Sequence, residues 1–361
     1  KKKKKKSKKS AAKAGVKKAS RAAHTLLGRV CTIVSMITEL LLVEQIQERT
    51  VNQLVATCLH TLEVSGIQLL QLRAVSLVST VFGRYRDLRA GFMDEIVTTM
   101  TKLPLSKKSL RMYPLTEGGA SATIQSITAL IVQSVQACLD LPTHDESDPG
   151  SAEALEGDCF APAIEWSDIF WSTVYQRWPT AKEKEVDLRA IIDNLLDDLI
   201  AARCLPEWPA ADTMMHRFCA VLVVKGLQNA DVNIRQATVE LLGKVTTKVK
   251  SDARECGEGA MRVLAGGDDD EEDVDMDETP ETRQMRCLLD ESRRQMVKLM
   301  QEAGPGAPPR LGHVEVLQEA LVSYLADPAR QDPEAAAVAR RFVLCRMFSE
   351  DARKLEGQDK A

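Results

Sequence analysis

Apolar residues recur at helical spacing along most of the chain. The run from Leu69 to Phe82 is almost wholly apolar, so a helix here must be buried between neighbours. The next stretch is amphipathic, with Phe92, Ile96 and Met100 at helical spacing, and it ends before Pro104. Two helices joined by a short connector are typical of one unit in a stack of helices.

The same periodicity predicts further helices on both sides of this pair. They cover Ser20–Gln47, Val51–Leu62, Ile124–Leu141, Phe160–Trp178, Val186–Ile200, Pro209 to about Leu227, Met285–Met300, Val314–Leu325, and Pro333 to about Lys354. Thr180 and Glu183 fit a capping box before the helix at 186–200, and Pro209 fits a first helical turn.

The stretch "NADVNIRQATVELLGKV" resembles the second helix of a HEAT repeat, with Asp231 as the cap and Arg235 tying the turn between helices. With few aromatic residues (4%) and many aliphatic ones, the chain predicts an all-α fold. We expect an irregular HEAT-type α-solenoid of stacked helix pairs.

Charge is distributed unevenly along the chain. Lys1 to Arg21 holds twelve basic residues and no acidic one, whereas the rest has 36 basic and 52 acidic residues. A second block, Gly266 to Glu281, holds ten carboxylates. Because a block of like charge cannot pack, we expect both to be disordered. The basic block suits nuclear import or nucleic-acid contact, or else a solubilising linker. The acidic block could mimic nucleic acid, hold the basic tail or bind histones; the main interpretation is a solvated insertion.

These patterns divide the chain into segments. We expect a disordered basic tail over 1–20, helical repeats over 21–142 with a basic turn at 102–111, an acidic loop over 143–158, helical repeats over 159–265, a disordered acidic insertion over 266–282, and helical repeats over 283–356.

Signatures of catalysis and of metal binding are missing from the sequence. The nine cysteines form no CxxC pair, and none of the five histidines is spaced with cysteine as a zinc site requires. Cys58 and His60 would lie on different faces of one helix, and His60 and His216 are expected at ordinary helix positions. We find no nucleotide-binding loop and no nucleophile beside a base, so we expect no enzyme, no cofactor and no metal.

We expect the cysteines to be reduced and mostly buried, as in an intracellular protein. We also expect no apolar run of the roughly 18–20 residues that a membrane span needs, and no signal peptide.

Aromatic residues concentrate in one predicted helix, at Trp166, Phe170, Trp171 and Trp178. Core packing is the main interpretation, and an exposed anchor for a partner helix is the alternative. Trp208, in "PEWPAA", is expected to fill a gap between helices.

One connector could contact phosphates. Its cations are Lys102, Lys107, Lys108 and Arg111. Lysine supplies a point charge, arginine can hold phosphate oxygens with two hydrogen bonds, and the hydroxyls of Ser106 and Ser109 add positioning. Such contacts would be salt-sensitive and independent of base sequence. The alternative is a solvated turn anchored by its leucines. Arg84, Arg86 and Arg89 could extend the patch.

Four blocks give the chain a family resemblance. "LQLRAVSLVSTVFGRYRDLR" runs into "LPLSKKSLRMYPL", followed in order by "IQSITALIVQSVQACLDLP", "PEWPAA" and, more weakly, "RRFVLCRMF". In wording and order they resemble the cohesin loader family, the Nipped-B or sister-chromatid-cohesion loaders, patchily from about Leu26 to Phe348. The acidic insertion and the polylysine start depart from the family pattern.

The resemblance implies a scaffold that helps load cohesin onto chromosomal DNA in the nucleus. Loaders of this family bind the kleisin subunit, hold duplex DNA against the SMC ATPase heads and stimulate ATP hydrolysis there. Their partner TPR subunit binds a far N-terminal region not recognisable here, and no membrane partner is implied. The alternative is a HEAT-repeat adaptor for protein–protein interaction without nucleic-acid binding.

Overall fold

In the computed structural model, the described residues are 2–105, 112–115, 123–141, 158–181, 187–203, 205–264, 321–327 and 332–358. Within them, only the backbone is described at 2–21, 179–181, 251–264 and 350–358. The chain divides into two compact units. Unit 1 comprises 1–113 and 125–134, and unit 2 comprises 114–124 and 135–361.

Unit 1 is a stack of helices. Its elements are α1 (Lys2–Val43), α2 (Glu48–Glu63), α3 (Gln68–Arg84), a 3₁₀ turn (Arg86–Leu88), α4 (Arg89–Lys102) and the first part of α5 (Ser126–Ala137). Helix α3 packs against both α1 and α2, and α4 packs against α2. The expected burial of α3 is confirmed for the later part of its apolar run, where Val75, Leu77, Val78, Val81 and Phe82 are each at most 1% exposed. It is wrong for Leu69, at the start of the helix, which is 49% exposed.

Two short strands lie between α4 and α5. Strands β1 (Met112–Pro114) and β2 (Thr123–Gln125) form a two-stranded sheet. Each has three residues, too few for an alternating pattern to show in the sequence. As a result, the helix predicted from Ile124 begins two residues later, at Ser126.

Unit 2 is also built from helices. It contains α6 (Ala161–Ala181), α7 (Leu188–Ala202), α8 (Pro209–Val221), a π-helical turn (Leu222–Gly226), α9 (Val232–Leu264), a helical stretch at 321–325 and α10 (Pro333–Gln358). Helix α8 packs against α6 and α7, and α7 also packs against α9. The all-α prediction is therefore confirmed for the part of the chain that the structure describes.

The predicted HEAT-type turn before α9 is confirmed in detail. The Asp231 carboxylate accepts a hydrogen bond from the Asn233 backbone N–H at 2.8 Å. The Arg235 guanidinium donates to the backbone carbonyls of Asn229 at 2.6 Å and Ala230 at 3.0 Å. These bonds satisfy backbone groups that the turn leaves without helical partners.

The predicted capping box is wrong. Thr180 lies inside α6. Helix α7 is capped instead by Asp187, whose carboxylate accepts from the Ala190 N–H at 3.0 Å. An aspartate directly before the first helical residue can satisfy the free N–H groups of the first turn by itself.

Helix α1 differs from two expectations. It begins at Lys2, where we expected a disordered tail over 1–20; lysine and alanine are strong helix formers, and this propensity opposes the repulsion between like charges.

The stretch Ala22–Val43 is also long and apolar enough to cross a membrane, so the prediction of no such run is wrong. Arg29 and Glu39 are its only Arg, Lys, Asp or Glu residues. Buried core helices of soluble proteins and signal sequences pass the same test of length and composition.

The expected aromatic core is confirmed in unit 2. Phe170, Trp171 and Trp178 are buried, and the Trp171 indole N–H donates to the Met214 carbonyl at 2.8 Å. Trp208 is buried as well, at 4% exposed, and its indole N–H donates to the Leu115 carbonyl at 3.1 Å. That it fills a gap between helices stays a prediction.

The six described cysteines are free thiols, as predicted. Burial raises the pKa of Cys58, in unit 1, to about 11. In unit 2, burial and the neighbouring Cys159 thiol raise the pKa of Cys345 to about 12. Since the thiolate is the reactive form, these two thiols are chemically quiet while the helices around them stay packed.

The acidic insertion 266–282, most of the acidic loop 143–158 and the predicted helix Met285–Met300 lie outside the described residues. So does most of the predicted helix Val314–Leu325, of which 321–325 is seen as helical.

Candidate nucleic-acid interface

The basic turn begins at the end of α4. Lys102 is the last residue of that helix, and its side chain is 52% exposed. Its ammonium lies 3.9 Å from the Glu63 carboxylate, at the end of α2. Glu63 also lies 3.6 Å from Nδ1 of His60. An exposed pair at this distance contributes at most about 1 kcal/mol, so a phosphate could compete for the lysine.

The structure describes only the first part of this turn. Leu103, Pro104 and Leu105 are half-buried, consistent with the expected packing anchors. Lys107, Lys108 and Arg111 lie outside the described residues, so their position relative to Lys102 stays a prediction. Where the chain is described again, the Met112 carbonyl accepts from the Gln68 amide at 3.1 Å, so β1 is held against the start of α3.

Arg89 does not belong to a solvent-facing patch. It is 4% exposed, and its guanidinium donates to the carbonyls of Phe82 and Gly83, both at 2.7 Å. These carbonyls end α3, where the helix dipole is negative and intrahelical donors are missing. The suggestion that Arg89 extends the basic patch is therefore wrong, because the residue caps a helix. Arg84 is exposed and donates to the Val43 carbonyl at 3.2 Å.

We expect Arg89→Met to lower the free energy of unfolding by about 2–3 kcal/mol, because it leaves two carbonyls without a charged donor. Urea unfolding followed by circular dichroism measures this loss. Arg49→Met, at an exposed position on α2, is the matched control and should change stability by less than about 0.5 kcal/mol. Equal effects of the two substitutions would contradict the capping role.

Unit 2 presents ion pairs that cross between helices. The Arg217 guanidinium on α8 binds Asp168 on α6 with two hydrogen bonds, at 2.7 and 2.6 Å, and these bonds raise the pKa of Arg217. Lys244 on α9 lies 2.7 Å from Asp197 on α7. Each of these cations is matched by a carboxylate, so they hold neighbouring helices in register.

The residues weighed as catalytic candidates are separated as expected. Cys58 is 6% exposed, whereas the His60 side chain is 69% exposed, so the two occupy different faces of α2. His216 is exposed on α8. Among the described residues, no group of three or more His, Cys, Asp or Glu side chains could hold a metal ion.

Comparison with known proteins finds several relatives, among them three Nipped-B-like proteins. Nipped-B-like protein B of Danio rerio is 30% identical over 242 residues, covering 64% of this chain and 8% of that protein. Nipped-B-like protein of Mus musculus is 29% identical over 269 residues, covering 69% of this chain and 10% of that protein. Nipped-B-like protein A of Danio rerio is 27% identical over 335 residues, covering 90% of this chain and 12% of that protein. No protein-family model matches the chain.

A solved structure shows the same fold. The C-terminal fragment of the Chaetomium thermophilum cohesin loader SCC2 matches with a TM-score of 0.54 and 16% identity, covering 92% of this chain and 27% of that one. The HEAT-type helical fold is thereby confirmed. The resemblance indicated by the sequence blocks is confirmed as well, for a chain that spans about a tenth of the curated relatives' length.

Proposed function

We propose that this chain, a helical-repeat segment homologous to part of the Nipped-B-like proteins, is a scaffold in cohesin loading. It helps place cohesin on chromosomal DNA for sister chromatid cohesion, and it stimulates cohesin's ATPase without hydrolysing ATP itself. The observation that carries the proposal is the homology over 64% to 90% of the chain, joined to a helical-repeat fold.

The packing suits such a role. Helices α3 and α8 each lie between neighbouring helices of their own unit. A stack of this kind presents side chains on a firm support, so a partner binds without first having to order the surface. We propose that the partners are the kleisin and SMC subunits of cohesin, with duplex DNA, and that the protein acts on chromatin in the nucleus. Any contact with the loader's TPR subunit would use a region outside this chain.

Cohesin binding is the direct test of this proposal. We expect the purified chain to retain cohesin on an affinity resin and to raise its DNA-dependent ATP hydrolysis. A chain with a normal helical circular-dichroism spectrum that neither binds cohesin nor changes its ATPase would contradict the proposal. It would favour the adaptor alternative, a HEAT-repeat protein that binds other proteins.

DNA contact is proposed at the basic turn, through Lys102, Lys107, Lys108 and Arg111. We expect Lys102→Glu to reduce the slope of log K against log[salt] for duplex DNA by about 1, because one phosphate contact is lost. The combined change Lys107→Glu/Lys108→Glu/Arg111→Glu should reduce the slope by about 3. Fluorescence anisotropy of labelled duplex over a salt series measures both slopes.

Two controls separate this contact from net charge. Arg49→Glu makes the same change in charge at an exposed position on α2 outside the turn, and it should leave the slope nearly unchanged. Glu63→Gln removes the acidic neighbour of Lys102 and should strengthen binding. If Arg49→Glu weakens binding as much as Lys102→Glu, the attraction comes from general charge and the turn is not the site.

A further inference from the structure

Helix α9 has two apolar faces, only one of which is covered among the described residues. The covered face carries Ile234, Thr238, Leu241 and Val245, each at most 5% exposed. At 100° per residue, a second face lies about 100° around the helix. Its valines are exposed: Val232 by 63%, Val239 by 58% and Val249 by 38%.

This second face is mostly apolar, although Arg235 and Lys250 fall within the same sector. The Arg235 guanidinium is turned back onto the Asn229 and Ala230 carbonyls. Between the three valines lie Leu242, which is half-buried, and Thr246. The Thr246 hydroxyl donates to the Leu242 and Gly243 carbonyls, at 2.9 and 3.1 Å, so its polar group is satisfied within the helix. We call Val232, Val239, Leu242, Thr246 and Val249 the outward stripe of α9. A helix that is apolar on two sides needs a neighbour on both.

We infer that the outward stripe of α9 is the docking surface for residues 285–300 of the same chain. The sequence alone gives this segment one apolar face, formed by Met285, Leu288, Leu289, Met296, Leu299 and Met300 within a 120° sector of a helix. Its charged residues, among them Arg286, Asp290, Arg294 and Lys298, fall outside that sector. Such a segment has an apolar face to bury and lies close by along the chain.

The length of residues 285–300 as a helix also matches the length of the outward stripe. A helix from 285 to 300 would be about 24 Å long, and the stripe from Val232 to Val249 extends about 26 Å along α9. Residues 265–284 connect the two and can span up to about 66 Å. The end of α9, Leu264, lies about 22 Å along the helix beyond Val249. The connection therefore allows residues 285–300 to return antiparallel along α9 with its acidic stretch left in water.

Hydrogen–deuterium exchange of the whole chain tests the assignment. We expect the amides of 285–300 to be protected at least tenfold over an unstructured peptide, and Val239→Asp to abolish that protection. The reciprocal change Leu289→Asp should speed exchange in α9 around Val239. Val64→Asp is the matched control, since Val64 is 50% exposed, is not on the stripe and lies in unit 1.

A photo-crosslinker, benzoylphenylalanine, placed at position 239 identifies the occupant directly. The expected product is a crosslink within one chain to residues 285–300. Crosslinked dimers would show that a second copy covers the stripe, and insertion into added lipid vesicles would show a bilayer; either result overturns the proposal. So does exchange at the unstructured rate across 285–300 in the unmodified chain.

Discussion

Trp171→Ala should cost unit 2 about 3–5 kcal/mol of unfolding free energy, the range for truncating a large buried aromatic residue. Trp171 is 1% exposed, and its ring lies 4.8 Å from the Phe170 ring and 4.3 Å from the Phe218 ring, centroid to centroid. Alanine would leave a cavity between α6 and α8 and remove the indole hydrogen bond to Met214. Thermal unfolding of the chain measures the loss.

Two further variants separate the contribution of the indole hydrogen bond from that of the buried ring in the cost of Trp171→Ala. Trp171→Phe keeps most of the ring volume but loses the indole donor, and we expect it to cost about 1–3 kcal/mol. Trp166→Ala, on the same helix at a half-buried position, should cost clearly less than Trp171→Ala. If the two alanine variants melt at the same temperature, the interpretation of Trp171 as the centre of this core is wrong.

Gly226→Ala is expected to destabilise the π-helical turn by about 1–3 kcal/mol, as overpacking in a closed site does. A Cβ at Gly226 would lie 2.6 Å from Oγ1 and 2.8 Å from Cγ2 of Thr238. Thr238 is fully buried on α9, and its branched side chain has little freedom to turn away. The glycine therefore allows the turn and α9 to approach closely, and urea unfolding should show the cost.

The chain supplies a matched control for this substitution. Gly243 lies in the middle of α9 with nothing within 4 Å of an added Cβ. Gly243→Ala should stabilise the helix by about 0.5–1 kcal/mol, since alanine has the higher helix propensity. Thr238→Ala in the Gly226→Ala background should recover part of the loss, because it removes the two closest atoms. Opposite signs for the two glycine substitutions are the expected signature.

The sequence predicted helices well because apolar spacing is a property of the chain itself. Pro209 opens α8, and Asp231 and Arg235 act as expected, since both contacts are local and depend on residue type at fixed spacing. The interior position of α3 followed from its lack of a polar face. The stretch around Asp231 and Arg235 indicated the HEAT-type repeat, and the family blocks indicated the resemblance to cohesin loaders.

Features that depend on tertiary contacts were not predictable in the same way. Arg89 reads as one more cation beside Arg84 and Arg86, and only the fold shows that it caps α3. The π-helical turn leaves no mark in the apolar pattern, and Gly226 becomes special only where Thr238 meets it.

The structure describes only part of the candidate site. Lys102 could be placed because it ends a helix, whereas Lys107, Lys108 and Arg111 lie outside the described residues. Charge and hydroxyl content suggest phosphate contact there, but such content also suits an ordinary solvated turn. The salt slopes expected for Lys102→Glu and the combined variant therefore decide between the two interpretations.

Each unit has a deeply buried thiol whose reaction rate reports local unfolding around it. Cys58 lies in unit 1 and Cys345 in unit 2, and at pH 8 only about one Cys58 thiol in a thousand is ionised, given a pKa of about 11. A brief pulse of iodoacetamide will label each thiol only when its surroundings unfold. Mass spectrometry of the labelled peptides then gives a separate rate of local unfolding for each unit, in one sample and without an added probe.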